Sequence, residues 1–373
     1  MKIDHFAVEI WMNAYETRCQ YNIAETCVDS ITLGGLLDLA GVRDVMAELR
    51  PRKLTYGEIE GSERLRAAIA TLYRDVTGDR VVTTHGAIGA NALLYEALIG
   101  AGDEMVSVVP TYQQHVSIAE SYGAQVKRLQ LRREQGYLAD LDELARLVTP
   151  NTKLIALTNP NNPTGALIER PMLQAIADIA ARHNAWVISD EVYRGVNQDD
   201  DALTPSIVDL YERGIAVGSM SKAFAMAGLR LGWIVAPREV RDAVLIHRDY
   251  NTISVGMLDE YFAALALEHR DALLARNRGI VRTNLALLES WLAHEPRLSW
   301  VKPRGGTVTL LDYDLPMTSR ELCTRLLQEA GVLLMPGSAL GMEGAVRIGF
   351  GNGTEVLRDG LAATSRFLAA LPG

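Results

Sequence analysis

The chain has 373 residues, a net charge of −9, 48% hydrophobic and 22% charged residues, which is long enough for two domains with a large buried core. No apolar run reaches the roughly 18 residues a membrane span needs, and no dense Lys/Arg cluster offers a surface to a phosphate backbone, so neither membrane nor nucleic acid is an expected partner. Three cysteines without a CxxC pair, Cys19, Cys27 and Cys323, and seven histidines without HExxH spacing argue against a disulfide framework and a metal centre. The N-terminal stretch holds Asp4, His5 and Glu9, which fits neither a secretory signal nor a transit peptide, and a cytoplasmic location is expected.

In chain order, residues 1–40 are expected to pack against a smaller domain or to reach a partner subunit. Residues 41–280 alternate short apolar runs with helical patterns, as a wound α/β sheet does. Strands are predicted at Val81–His85, Met105–Pro110, Gln125–Leu131, Lys153–Thr158, Trp186–Asp190, Gly214–Ser219 and Leu231–Ala236. Helices are predicted at Ala90–Ile99, Asp140–Leu147 and Pro171–His183, the last with its proline near the start, where a missing N–H costs nothing. Leu273–Ala293 predicts one long amphipathic helix leading into an α+β unit, residues 281–373, with strands at Trp300–Lys302, Thr307–Asp312, Val332–Met335 and Ala345–Phe350. The boundary is placed within 275–285.

Reactive groups cluster after predicted strands. Ser219-Met-Ser-Lys222-Ala-Phe-Ala-Met-Ala-Gly228-Leu-Arg230-Leu-Gly232 sets one of only six lysines in an apolar, Gly/Ser-rich neighbourhood. A desolvated lysine has a lowered pKa and forms a Schiff base with an aldehyde, whereas a plain loop lysine does neither. Asn159-Pro-Asn-Asn162-Pro163-Thr-Gly165 and Asp190-Glu191-Val192-Tyr193-Arg194 also follow strands, and ligands of open α/β sheets bind at those carboxyl ends. An amine, an acid, a phenol and an amide would therefore converge. Rival motifs are poorer. Ser219-Met-Ser-Lys222 matches SxxK, but SDN and KTG are absent; GAIGAN is not GxGxxG; no GK[ST] occurs; and Asp199-Asp200-Asp201 reads as a solvated loop.

Taken together, SxSKxxxxxGLRxGW, NPNNPTG and DEVYR resemble the class I/II aminotransferases, the fold-type I group of pyridoxal-phosphate (PLP) enzymes, from Tyr56 to Arg347. Lys302-Pro303-x-Gly305-Gly306 and Gly331-Val-Leu-Leu-Met-Pro336-Gly337-Ser338 are also similar to that family. The resemblance implies an α/β fold with a mostly parallel seven-stranded sheet flanked by helices, a smaller α+β domain and a homodimer. It implies that Lys222 forms the Schiff base with PLP and shuttles a proton through a quinonoid carbanion. Asp190 would pair with the ring nitrogen, Asn162 and Tyr193 with the ring oxygen, and Tyr112 would stack on the ring. Gly86, Ala87 and Gly89, opening a helix after a strand, would receive the phosphate with Ser219, Ser221 and Arg230. Tyr56 resembles a tyrosine donated across the dimer interface, and Arg347 the arginine that grips the substrate carboxylate through its planar fork.

The family resemblance leaves the fate of the carbanion open. Transamination of an L-amino acid leads; β/γ-elimination or cyclisation of a basic or guanidino amino acid, as in capreomycidine synthase or canavanine γ-lyase, is the alternative. Where many family members carry a glycine-bearing strip, this chain has Tyr21-Asn22-Ile-Ala-Glu25-Thr26-Cys27-Val-Asp29-Ser30, and Glu25 or Asp29 is expected to pair with a cationic side chain such as arginine's. A PLP-binding transcription regulator is disfavoured by the short stretch before the matching region, and a dead homologue by the presence of Lys222, Asp190 and Arg347.

Overall fold

A computed structural model describes residues 2–371. The larger sheet has seven strands, labelled β1 (Val81–Thr84), β2 (Glu104–Val109), β3 (Gln125–Gln130), β4 (Thr152–Thr158), β5 (Trp186–Asp190), β6 (Gly214–Ser219) and β7 (Gly232–Val235). Their spatial order is β1-β7-β6-β5-β4-β2-β3, and only β7 runs antiparallel to its neighbours. Every residue of β1, β5, β6 and β7 is buried, because helices cover both faces; this is why the sequence shows continuous apolar runs instead of alternation. β3 is one edge strand, and its mostly solvent-facing Lys127, Arg128 and Gln residues blunt that edge. All seven predicted strands are present within a residue or two of their expected ends.

The crossover helices explain how the carboxyl ends stay open to one side. Helix Arg170–Ala181, with Pro171 in its first turn, buries Leu173, Ile176, Ala177, Ile179 and Ala180 and returns the chain from β4 to β5. Helix Gly86–Leu98 begins at the end of β1, ten residues of helical pattern having been predicted only from Ala90. The long predicted helix is Arg270–Leu292. Beyond it, Met335–Pro336, Ala345–Gly349, Val308–Tyr313 and Leu298–Trp300 pair in that order in an antiparallel sheet. The single strand expected at Val332–Met335 is two strands: Val332–Leu333 pairs in parallel with Tyr21–Asn22, and Met335–Pro336 joins the antiparallel sheet. Leu334 lies at the break, and its carbonyl accepts from the indole N–H of Trp11 at 2.9 Å, so the N-terminal segment is bonded to this part of the chain at two points.

Candidate active site

The carboxyl ends of β4, β5 and β6 lie side by side, with Asp190 registered between Thr158 and Val217. They open into a cavity of about 540 Å³, a volume suited to a cofactor together with a small substrate. Lys222, Asp190, Tyr193, Asn162, Ala87, Tyr112, Ser219, Ser221, Arg230, Arg347 and Glu25 all line it, so residues scattered over more than three hundred positions meet in one place. Gly86 immediately precedes the lining residue Ala87, and a side chain there would meet the Arg230 guanidinium. Tyr56 does not reach the cavity of its own chain; it is 75% exposed beside Gly57 and the loop Ser254–Asp259.

Asp190 is held from below. Its Oδ2 accepts from Asn91 Nδ2 at 3.0 Å and lies 3.4 Å from His115 Nε2, while Oδ1 accepts from the Val192 N–H at 3.2 Å. His115 is fully buried, and its Nδ1 is 2.8 Å from the Tyr95 hydroxyl. On the opposite side of β5, Tyr193 is 1% exposed, and Asn162 Nδ2 donates to its hydroxyl at 3.4 Å. Arg347 is 2% exposed; one terminal nitrogen donates to Asn162 Oδ1 at 3.2 Å and the other to the Ala24 carbonyl at 3.3 Å, and Nε has no protein partner. Burial pulls its guanidinium below the ordinary arginine value, against the opposing pull of Tyr193, Glu25 and Glu9.

The strip 23–29 lies over Lys222. It is fastened to the small sheet by the Gly349 N–H to the Ile23 carbonyl and the Asp29 N–H to the Gly351 carbonyl, each 2.8 Å. Gly349 must be glycine here, since a Cβ would overlap the Glu25 backbone. The result is that Lys222 Nζ donates to Thr26 Oγ1 at 2.6 Å and to Cys27 Sγ at 3.3 Å. The expected lowering of the lysine pKa is not what this setting produces. Burial does oppose the ammonium, but Cys27, Tyr193 and Glu25 favour it and hold it above the ordinary lysine value. Glu25 turns its carboxylate back on its own chain, with Oε1 accepting from Thr26 N–H at 2.6 Å and Cys27 N–H at 2.9 Å. Burial raises its pKa, but the Lys222 charge and these two bonds outweigh that and leave it below the usual range. Asp29 is a correction: it faces Arg276 at 3.6 Å, outside the cavity.

The phosphate-sized end is built by close backbone approach. A Cβ on Gly232 would fall inside the Gly86 backbone, so β7 lets the first turn of Gly86–Leu98 sit directly on the sheet. Gly86 has φ +67°, and a Cβ there would come to 3.0 Å from Arg230 Nη2. The free N–H groups of that turn, Arg230, Ser219 and Ser221 therefore share one corner. A further wall comes from helix Ala7–Tyr15, which presents Val8, Glu9 and Met12, followed by Glu16. Glu9 accepts from the Tyr112 hydroxyl at 2.8 Å.

Several site residues escaped sequence reasoning. Asn91 and His115 were invisible because each sits inside a helix pattern with no motif. Thr26 and Cys27 lie in the same strip as Glu25, but as small neutral side chains without a motif they carry no sequence signal. Glu9 and Glu16 had a signal available in their helical spacing with Val8 and Met12 on one face. Asp199 and Asp201 pair with Arg304 and with Arg278 and Arg282, so the aspartate run is tied to its surroundings by arginines and is less free than a solvated loop.

Residues 39–363 match the family described as "Aminotransferase class I and II". Capreomycidine synthase of Streptomyces vinaceus is 33% identical over 97% of this chain and 93% of its own. The arginine–pyruvate transaminase AruH of Pseudomonas aeruginosa is 31% identical over 85% of this chain and 83% of its own. Among solved structures, a PLP-dependent aminotransferase from Streptococcus suis 89-1591 superposes with a TM-score of 0.97 at 40% identity, covering both chains in full.

The residues present fit pyridoxal phosphate. An anion corner, an amine and a buried carboxylate line one cavity, and no side chain fills the space between them. The Arg347 guanidinium lines the same cavity with only the neutral oxygens of Asn162 and Ala24 as partners, which leaves its charge for a further acid group.

Proposed function

The chain belongs to the class I and II aminotransferases and is a pyridoxal-phosphate enzyme, and from that premise we propose that it transaminates an L-amino acid with a cationic side chain, arginine being the model substrate. The observation that carries this reading is Arg347, a buried guanidinium whose terminal nitrogens meet only the neutral oxygens of Asn162 and Ala24, lining a cavity that Glu9 and Glu16 also line. A planar fork suits an α-carboxylate, and carboxylates nearby suit a guanidinium at the far end of the same molecule.

Bound in the cavity, PLP supplies a carbon that the substrate amine attacks and a ring that takes up the electron pair of the broken Cα–H bond. The chain's residues do the rest. Arg347 fixes the carboxylate and so the rotation about the bonds at Cα. Lys222 Nζ, once free, would take the Cα proton and, for transamination, return it two atoms further along, beyond the nitrogen, to the cofactor carbon. Asp190, oriented by Asn91 and the Val192 N–H, would offer its carboxylate to the ring nitrogen. Asn162 and Tyr193 would meet the ring oxygen, and the turn at Gly86 with Ser219, Ser221 and Arg230 would hold the phosphate.

A homodimer completes the site in this reading. Leu54, Tyr56 and Tyr250 are strongly exposed, and Leu54, Tyr56 and Leu258 rim one open groove, which suits burial against a second copy with Tyr56 reaching its cavity. Three free cysteines suit a reducing cytoplasm.

A second reading, elimination or cyclisation of the side chain, is favoured by the 33% identity to capreomycidine synthase. One experiment separates the two. PLP-loaded protein is given single amino acids, arginine and canavanine included, without a keto acid, and cofactor and products are weighed by mass spectrometry. Conversion of the cofactor to its amine form after one turnover supports transamination. Product accumulating over many turnovers with PLP retained supports the second reading and sinks the first.

A further inference from the structure

We propose that Thr26 is the seat of the Lys222 amine whenever a substrate amine has displaced it, and that it aims this base as a positioning residue. This rests on the reading above only in taking Lys222 to alternate between cofactor-bound and free; it holds for transamination and elimination alike, and for any side chain.

A lysine amine rides on a flexible four-carbon stem with rotatable donors, so nothing in the side chain itself directs it. In this cavity two neighbours do. Thr26 Oγ1 lies 2.6 Å from Nζ and Cys27 Sγ 3.3 Å, which fixes the amine at two points. Thr26 is in turn immobilised: its N–H donates to Glu25 Oε1 at 2.6 Å, and its carbonyl accepts from Thr307 Oγ1 at 2.6 Å, on a residue that is fully buried. The anchor therefore runs from the small antiparallel sheet through Thr26 to the base.

The hydroxyl suits both protonation states. It accepts from the ammonium and can donate to the lone pair of the neutral amine, which an acceptor-only carbonyl or carboxylate cannot do. When it accepts from Lys222, its own O–H remains available to a neighbouring acceptor.

Two variants and two readouts test this. Thr26→Val keeps the shape and removes the hydroxyl; Thr26→Ser keeps the hydroxyl. The first readout needs no turnover: protein loaded with pyridoxamine phosphate, in which Lys222 is free, is acetylated competitively and Lys222 is quantified by mass spectrometry. The valine variant should label several-fold faster than wild type and the serine variant at the wild-type rate. The second readout uses an α-deuterated amino acid that the enzyme turns over. The valine variant should lose about ten- to a hundredfold in kcat at nearly constant KM, with a larger deuterium effect, as expected for a misaimed base. Serine should restore both. Unchanged labelling of Lys222 in Thr26→Val, an unchanged deuterium effect, or a serine variant that behaves like valine each overturns the proposal. The labelling result stands even when no amino acid tried is a substrate, so a failed functional reading is told apart from a failed role for Thr26.

Discussion

Arg347 and Asn162 act as one unit: the guanidinium donates to Asn162 Oδ1 at 3.2 Å, which turns the amide so that its Nδ2 donates to the Tyr193 hydroxyl at 3.4 Å. The amide cannot be reversed without setting Nδ2 against the guanidinium. The group proposed to grip the substrate carboxylate therefore also orients the two groups proposed to face the ring oxygen.

Replacing Arg347 by lysine should consequently do more than a change of cation suggests. A single ammonium cannot hold the carboxylate, Asn162 and the Ala24 carbonyl together, and truncating one partner of a buried charged pair costs about 2–5 kcal/mol. Arg347→Lys is expected to lower kcat/KM for an amino acid by at least about 30-fold on that scale. Turnover of the matching amine, which lacks the carboxylate, should change far less. Equal losses for acid and amine would mean that Arg347 is structural.

Glu191, next to Asp190, gives the protein a pH-dependent stability. It is 4% exposed; burial, only partly offset by Arg194, the Ser206 hydroxyl and the Ile207 N–H, pushes its pKa up to about 7. The folded state thus favours the protonated form, so this stabilisation is full below the unfolded value near 4.5 and is lost as pH rises through about 7. Glu191→Gln removes the titration. Between pH 5 and pH 8 the wild type should lose thermal stability relative to the variant, by up to about 3 kcal/mol. Parallel melting curves across that range would show that Glu191 is not protonated in the fold.

The exposure of Tyr56 predicts complementation between inactive chains. Tyr56→Ala removes the residue a chain gives away, and Lys222→Ala removes one it keeps. Mixed after dissociation and reassociation, the two should form heterodimers with one intact site, recovering about a quarter of wild-type activity. If Tyr56 served its own chain, both sites of the heterodimer would be damaged and the mixture would stay inactive.

The sheet was readable because its strands are buried on both faces and so appear as apolar runs, and because Lys222, Asp190 and Asn162 follow those runs directly. The small domain was less readable where backbone geometry decides: nothing in Val332–Met335 marks Leu334 as the point where the chain changes sheets. The strip over Lys222 was found as a departure, but its geometry depends on Gly349 and Gly351 more than three hundred residues away, which local pattern cannot reveal. Glu25 illustrates the cost. Its charge suggested a substrate contact, whereas its carboxylate is engaged by its own backbone.

In the proposed reading, that engagement leaves side-chain recognition to the helix Ala7–Tyr15 and Glu16. Glu9 already accepts from Tyr112 at 2.8 Å, and the Glu16 carboxylate has no hydrogen bond or ion pair among the described residues, although it lines the cavity. A cationic substrate would meet both. Because Glu16 is exposed, its pairing is worth at most about 1 kcal/mol and is screened by salt, so Glu16→Gln should lower kcat/KM for arginine about three- to fivefold. Glu9 is half-buried, and Glu9→Gln should cost about tenfold or more, as charge-assisted bonds of about 1.5–3 kcal/mol do. An uncharged amino acid of similar length should be nearly indifferent to both changes. Steady-state kinetics at low and high salt measure this: a selectivity for arginine that neither variant alters would remove the helix from recognition and leave the cationic substrate without its proposed contacts.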